Sequence, residues 1–208
     1  MKNNDPIVCR AKKLAAQVRR IQMITLGWMG VEAVVSLGAA WVAHSPALLG
    51  FGGDSAVELC SAVIVWWRFS PGAGEEERER RAAKFAGALL LVLAGIVVLG
   101  ALMAFAGRMA PRPSLIGMVL LFVSAAVMPW LAREKRRLAS ATGSAALKAD
   151  AAESALCGYL AIIALAGLLL NAVWSARWAD PLAALALLPW ILREGWEALH
   201  HQSRHSTE

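Results

Sequence analysis

The chain has 208 residues, of which 58% are hydrophobic and only 17% are charged, and its formal net charge is +6. Soluble domains average about 45–50% apolar and about 25% charged residues, so this composition indicates a membrane protein and excludes a large cytoplasmic enzyme. The apolar residues fall into six blocks, each about as long as the 20 residues that cross a bilayer. The predicted fold class is therefore all-α, an integral membrane bundle of six transmembrane helices without a soluble domain.

The blocks follow one another along the chain and are separated by short connections that carry turn or charge signals. They cover residues 21–43, 46–67, 85–106, 114–132, 151–174 and 179–199. A basic tail at 1–20 precedes the transmembrane domain at 21–199, and a short tail at 200–208 follows it. Because the first block is longer than the apolar core of a signal peptide, we expect it to be an uncleaved span.

Basic residues divide unequally between the two sides of the membrane that six spans define. The chain has 21 Lys and Arg residues, and all but Arg108, Arg112 and Arg177 fall on the side that holds both tails. Cytoplasmic segments carry the excess of Lys and Arg, and tryptophans near the ends of the blocks fit the membrane interfaces. We therefore expect both termini in the cytoplasm and a bacterial inner (plasma) membrane location. Orientation explains the net positive charge better than nucleic-acid binding does.

Ionisable residues inside the blocks are few, and such residues are costly in a membrane. Asp54 and Glu58 lie four residues apart in the second block, which places both carboxylates on one face of a helix. Glu153 and Cys157 have the same spacing in the fifth block. Two such pairs on facing helices could enclose a tetrahedral zinc site. The predicted metal ligands are therefore Asp54, Glu58, Glu153 and Cys157.

Other interpretations of individual residues stay open at this point. Asp54 follows a glycine-rich stretch and Asp150 lies near the start of the fifth block, so either could cap a helix. Cys157 could be a small buried apolar residue, and Cys60, nearly opposite Glu58 on the helix, is interpreted as packing. Three histidines of the C-terminal tail could bind metal weakly or belong to an ordinary polar tail: His200, His201 and His205.

Two motifs are shared with a known family. The run SPALL at 45–49 leads to Asp54 and Glu58, and the run LKADA at 147–151 leads into the fifth block. Both runs resemble segments of the cation diffusion facilitators. The first resembles the S-x-A-L-L segment that precedes D-x-x-x-D in the family's second span, and the second resembles the L-K-A-D-A segment that precedes its fifth span. That cation efflux family consists of divalent-metal/proton antiporters. The resemblance extends over residues 20–199.

Further positions agree with the resemblance or depart from it. The run ADPL at 179–182 resembles the D-P-L start of the family's sixth span, and Glu32 resembles an acidic residue of the first span in zinc members. Glu153 and Cys157 stand where the family has His and Asp. The resemblance thus implies the same site with an altered ligand set.

The resemblance also implies a function. It suggests a transporter that exports a divalent cation, zinc above all, from the cytoplasm in exchange for protons. The expected partners are the metal ion as substrate, protons and the bilayer, with no nucleic acid and no prosthetic group. Because the family's C-terminal cytoplasmic metal-binding domain has no counterpart here, we expect a homodimer formed through the membrane helices. The alternative is a non-transporting membrane regulatory or scaffold protein with a degenerate cation-efflux fold. An enzyme is not expected, because no nucleophile–base pair, phosphate-binding loop or cofactor motif is present.

Overall fold

The computed structural model describes residues 6–68, 75–143 and 145–200, and within these ranges every regular element is a helix. The six helices are α1 (Pro6–Ala43), α2 (Pro46–Arg68), α3 (Glu75–Phe105), α4 (Leu115–Thr142), α5 (Ala145–Trp174) and α6 (Ala179–His200). The predicted all-α fold class is confirmed. Helix α1 begins inside the segment predicted as a basic tail, so much of that segment continues the first span as helix.

In the part of the chain that the structure describes, four helices are long and apolar enough to cross a membrane by themselves. The chain is an integral membrane protein. These four stretches are Ala16–Ala43, Gly87–Phe105, Leu115–Thr142 and Asp150–Trp174. The other two helices, α2 and α6, have 23 and 22 residues. At about 1.5 Å per residue each reaches about 33 Å, which matches a hydrocarbon core of about 30 Å.

The helices pack as a ring in the order α1, α2, α3, α6, α5, α4, which closes where α4 meets α1. Helix α2 also contacts α5 and α6 across the ring, so it packs against four of the other helices. Residues Leu48 and Phe51 of α2 are almost completely buried in the apolar core. The central position of α2 places its polar residues inside the bundle, where the fold shields them from lipid.

Glycines allow α2 to approach its neighbours closely. A Cβ atom on Gly52 would lie 2.8 Å from Cβ of Ser36 in α1, and a Cβ atom on Gly53 would lie 2.5 Å from Cδ1 of Leu93 in α3. Real Cβ atoms do not come so close to other heavy atoms, and small residues are what permits tight helix packing in membranes. These glycines immediately precede Asp54, which is therefore held in a tightly packed stretch between α1 and α3.

The turn between α1 and α2 is tied to the start of α6. The Ser45 hydroxyl donates a hydrogen bond to Oδ2 of Asp180, and the backbone N–H of Ala47 donates to its Oδ1 at 3.3 Å. The Leu48 N–H donates to Ser45 Oγ at 3.2 Å. These N–H groups belong to the first turn of α2, where helical partners are lacking and a negative charge is favourable. The structure thereby joins two of the family-like segments, SPALL and ADPL.

Candidate metal centre

Asp54 lies in the middle of α2 and not at its start. The helix begins at Pro46, so a capping role for Asp54 is excluded. Its side chain is 1% exposed, and within the described residues its Oδ1 atom has no hydrogen-bond partner. Burying a polar group without a partner is costly, and a buried charge is costlier still. A proton, a cation or a buried water molecule would satisfy this oxygen.

A third carboxylate comes from α6. Asp54, Glu58 and Glu194 each offer one oxygen, and these three atoms lie within 4.8 Å of one another. For three such atoms there is always a point that lies within about 2.8 Å of each, which is 4.8 Å divided by √3. Zinc–carboxylate distances are about 2.0–2.2 Å, so a movement of under about 1 Å per oxygen would give ligand distances. Among the residues that the structure describes, these three have the geometry of a metal site.

The sequence does not identify Glu194 as a ligand, because the charged residues beside it suggest a solvated helix end. Arg193 and Glu197 form an i, i+4 ion pair with Nε and Oε1 2.8 Å apart, and both side chains are more than half exposed. The Arg193 guanidinium also lies over the Trp190 ring, 5.6 Å from its centroid. A step of about 100° per residue turns Glu194 away from that exposed pair. Its position inside the sixth apolar block was the one signal that could have identified it.

Cys157 and Glu32 lie together beside this group. Both are buried, and the Cys157 thiol approaches Oε2 of Glu32 at 4.0 Å. The other oxygen of Glu32 accepts a hydrogen bond of 2.7 Å from Nε1 of Trp28. The thiol therefore has polar surroundings, and Glu32 lies next to the candidate site.

Glu153, the fourth predicted ligand, is placed differently. Its side chain is exposed, although it lies close enough to Glu58 and Glu194 to interact with them electrostatically. In the described part of the chain, neither Glu153 nor Cys157 belongs to the group whose ligand atoms lie within 4.8 Å of one another. The structure thus joins Asp54 and Glu58 with Glu194 and leaves Glu153 at the exposed edge of the cluster.

Asp150 takes part in a separate buried network. Helix α5 begins at Ala145, so the possibility that Asp150 is an N-cap is wrong. Its Oδ1 pairs with Nζ of Lys135, a fully buried lysine of α4, at 2.8 Å. Its Oδ2 accepts a hydrogen bond of 2.7 Å from Nε2 of Gln22 in α1. Both oxygens of Asp150 therefore have partners on other helices.

Cys60 and the histidines near the C-terminus are the remaining candidates. Cys60 is exposed on the surface of the bundle. His200 is the last residue of α6, and His201 and His205 lie outside the described residues.

A comparison with family models gives one match. Residues 23–202 match the cation efflux transmembrane domain, a range that includes Asp54, Glu58 and Glu194. No curated protein matches the chain. The matched range spans α2 to α6 completely and the second half of α1, so the match concerns the whole bundle.

Proposed function

We propose that this chain exports zinc from the cytoplasm in exchange for protons. The chain belongs to the cation efflux family and is a divalent cation transporter. The observation that carries this proposal is the buried Asp54 carboxylate on the central helix, with one oxygen that lacks a partner among the described residues. A group of this kind in a membrane bundle is a functional site by default, because it costs stability.

The proposed exchange follows from the charges of the site. Asp54 and Glu58 have oxygens within 4.8 Å of each other. Two unit charges at that distance repel by about 3.5 kcal/mol at an effective dielectric constant of about 20. Either a divalent cation or protons relieve this repulsion. Since carboxylates bind metal only when they are deprotonated, the two compete for one site. A site that opens alternately to each side of the membrane then exchanges one for the other.

Zinc is proposed because of the thiol beside the carboxylates. Cys157 is buried, and its thiol lies 4.0 Å from Oε2 of Glu32. Zinc accepts carboxylate and thiolate ligands in tetrahedral geometry. Magnesium and manganese prefer oxygen ligands alone, whereas thiolates favour softer ions. A mixed oxygen and sulfur environment therefore supports zinc over the harder divalent cations.

Zinc transport in proteoliposomes tests the function. The purified chain is reconstituted with a zinc-sensitive dye inside the vesicles, and a pH gradient is imposed in each direction. We expect gradient-dependent zinc movement, which Asp54→Asn and Glu58→Gln abolish while the protein still inserts. Glu134→Gln is the matched control, because Glu134 makes an exposed ion pair with Arg137 and should transport normally. If the parent chain moves no zinc under either gradient, the proposal fails and the regulatory or scaffold alternative gains support.

The orientation is a separate proposal. The charge distribution supports cytoplasmic termini in an inner membrane. Single cysteines at positions 110 and 140, in a background without the native cysteines, test it with a membrane-impermeant reagent. Ala110 lies between α3 and α4, and Ser140 lies near the end of α4. We expect labelling from outside at position 110 and from inside only at position 140; labelling of both from one side would contradict the six-span topology.

A further inference from the structure

We propose that Glu194 of α6, and not Glu153 of α5, is the third carboxylate ligand of the transported ion beside Asp54 and Glu58. This inference rests on the proposed transport function and specifies the site that performs it. Asp54 and Glu58 keep the role expected from the sequence, but the second glutamate comes from α6 instead of α5.

The geometry of the carboxylates is the first argument. Oxygens of Glu194, Asp54 and Glu58 lie within 4.8 Å of one another. The α5 carboxylate, Glu153, is outside this group and is exposed. Metal binding requires ligand atoms that converge on one point, and of the two candidate glutamates only Glu194 meets that condition among the described residues.

Unsatisfied oxygens are the second and independent argument. Asp54 is 1% exposed, and its Oδ1 has no hydrogen-bond partner within the described ranges. The same holds for the buried Oε2 of Glu194. Buried polar atoms are nearly always paired, and a role in binding an ion is one established reason for exceptions. Two such oxygens on facing helices, in one group of carboxylates, point to a cation that both of them bind.

The packing of α6 holds Glu194 in this position. A Cβ atom on the next residue, Gly195, would lie 3.1 Å from Cβ of Leu90 and 3.2 Å from the carbonyl oxygen of Gly87 in α3. The absence of a side chain at position 195 lets α6 approach α3 closely there. That contact fixes the rotation of α6 at the level of Glu194. Arg193 and Glu197 are occupied with each other on the exposed side, so neither neutralises Glu194.

Zinc affinity of the purified, full-length protein in detergent tests the inference. A competition titration with a zinc indicator compares Glu194→Gln with Glu153→Gln and Glu197→Gln. Glu197 is the matched control, because it lies on the same helix and is exposed and paired with Arg193. Loss of a group that only orients a ligand typically costs 10–100-fold in metal affinity, so loss of a ligand should cost at least about 10-fold. For the two exposed glutamates we expect less than about fivefold.

A second variant keeps the test decisive if Glu194→Gln fails to fold. Glu194→Cys replaces a hard ligand with a soft one, so cadmium affinity should rise relative to zinc, and the thiolate-to-cadmium absorption band should grow relative to the parent chain. Two results would overturn the assignment. One is an unchanged cadmium-to-zinc affinity ratio and an unchanged absorption band in Glu194→Cys. The other is a loss of zinc binding in Glu153→Gln while Glu194→Gln keeps the affinity of the parent chain. Failure of the transport proposal would appear elsewhere, as absent zinc movement by the parent chain in vesicles.

Discussion

The buried ion pair between α4 and α5 gives the sharpest prediction about stability. Lys135 is fully buried, and its ammonium lies 2.8 Å from Oδ1 of Asp150 and 2.8 Å from the hydroxyl of Ser154. The substitution Lys135→Met keeps much of the apolar stem and removes the charge. It leaves the Asp150 carboxylate without its counter-ion in a membrane bundle.

The expected cost follows from the surroundings of Asp150. Removing one partner of a buried ion pair costs about 3–5 kcal/mol. Asp150 is 29% exposed and keeps its 2.7 Å hydrogen bond from Gln22, so we expect a value at the lower end, about 3 kcal/mol. The pair Arg137–Glu134 on the same helix provides the control. Its atoms are 3.6 Å apart and its side chains are 79% and 35% exposed, so Arg137→Met should cost about 0–1 kcal/mol.

Unfolding in mixed micelles, followed by the fluorescence of the nine tryptophans, measures these free energies. The double variant Lys135→Met with Asp150→Asn should recover most of the loss, since removing both charges of a buried pair is often neutral. If Lys135→Met costs no more than Arg137→Met, the reasoning about the pair is refuted. If the double variant is as unstable as Lys135→Met, the cost arises from packing of the lysine stem.

Two further predictions concern the packing of α2 and the thiol. Gly52→Ala should destabilise the bundle by about 1–3 kcal/mol, because its Cβ would overlap α1. Gly38→Ala, where the new Cβ meets open space, should stabilise it by up to about 1 kcal/mol. Thermal unfolding compares the two variants, and equal melting temperatures would contradict the close contact at Gly52. Cys157→Ser should lower cadmium affinity more than zinc affinity, because a neutral hydroxyl replaces a thiolate. Cys60→Ser, at an exposed position, should change neither, and an unchanged cadmium-to-zinc ratio in Cys157→Ser would remove Cys157 from the site.

The six helices and the pair on α2 were predictable from the sequence because both depend on local physics. A bilayer requires apolar stretches of about 20 residues whose backbone groups bond within the segment, so the apolar blocks predict helices directly. Within a helix, the step of about 100° per residue places Asp54 and Glu58 on one face, whatever surrounds it.

The partners of that face were decided only by the tertiary structure. Whether Glu153 or Glu194 meets Asp54 depends on the order of the helices in the ring and on the rotation of each helix about its axis. Those rotations are set by close contacts such as that of Gly195 with α3, which no single helix specifies. The same holds for Asp150, because its counter-ion Lys135 comes from another helix. Spacing along a chain determines which side chains share a face, but only helix packing determines which faces meet.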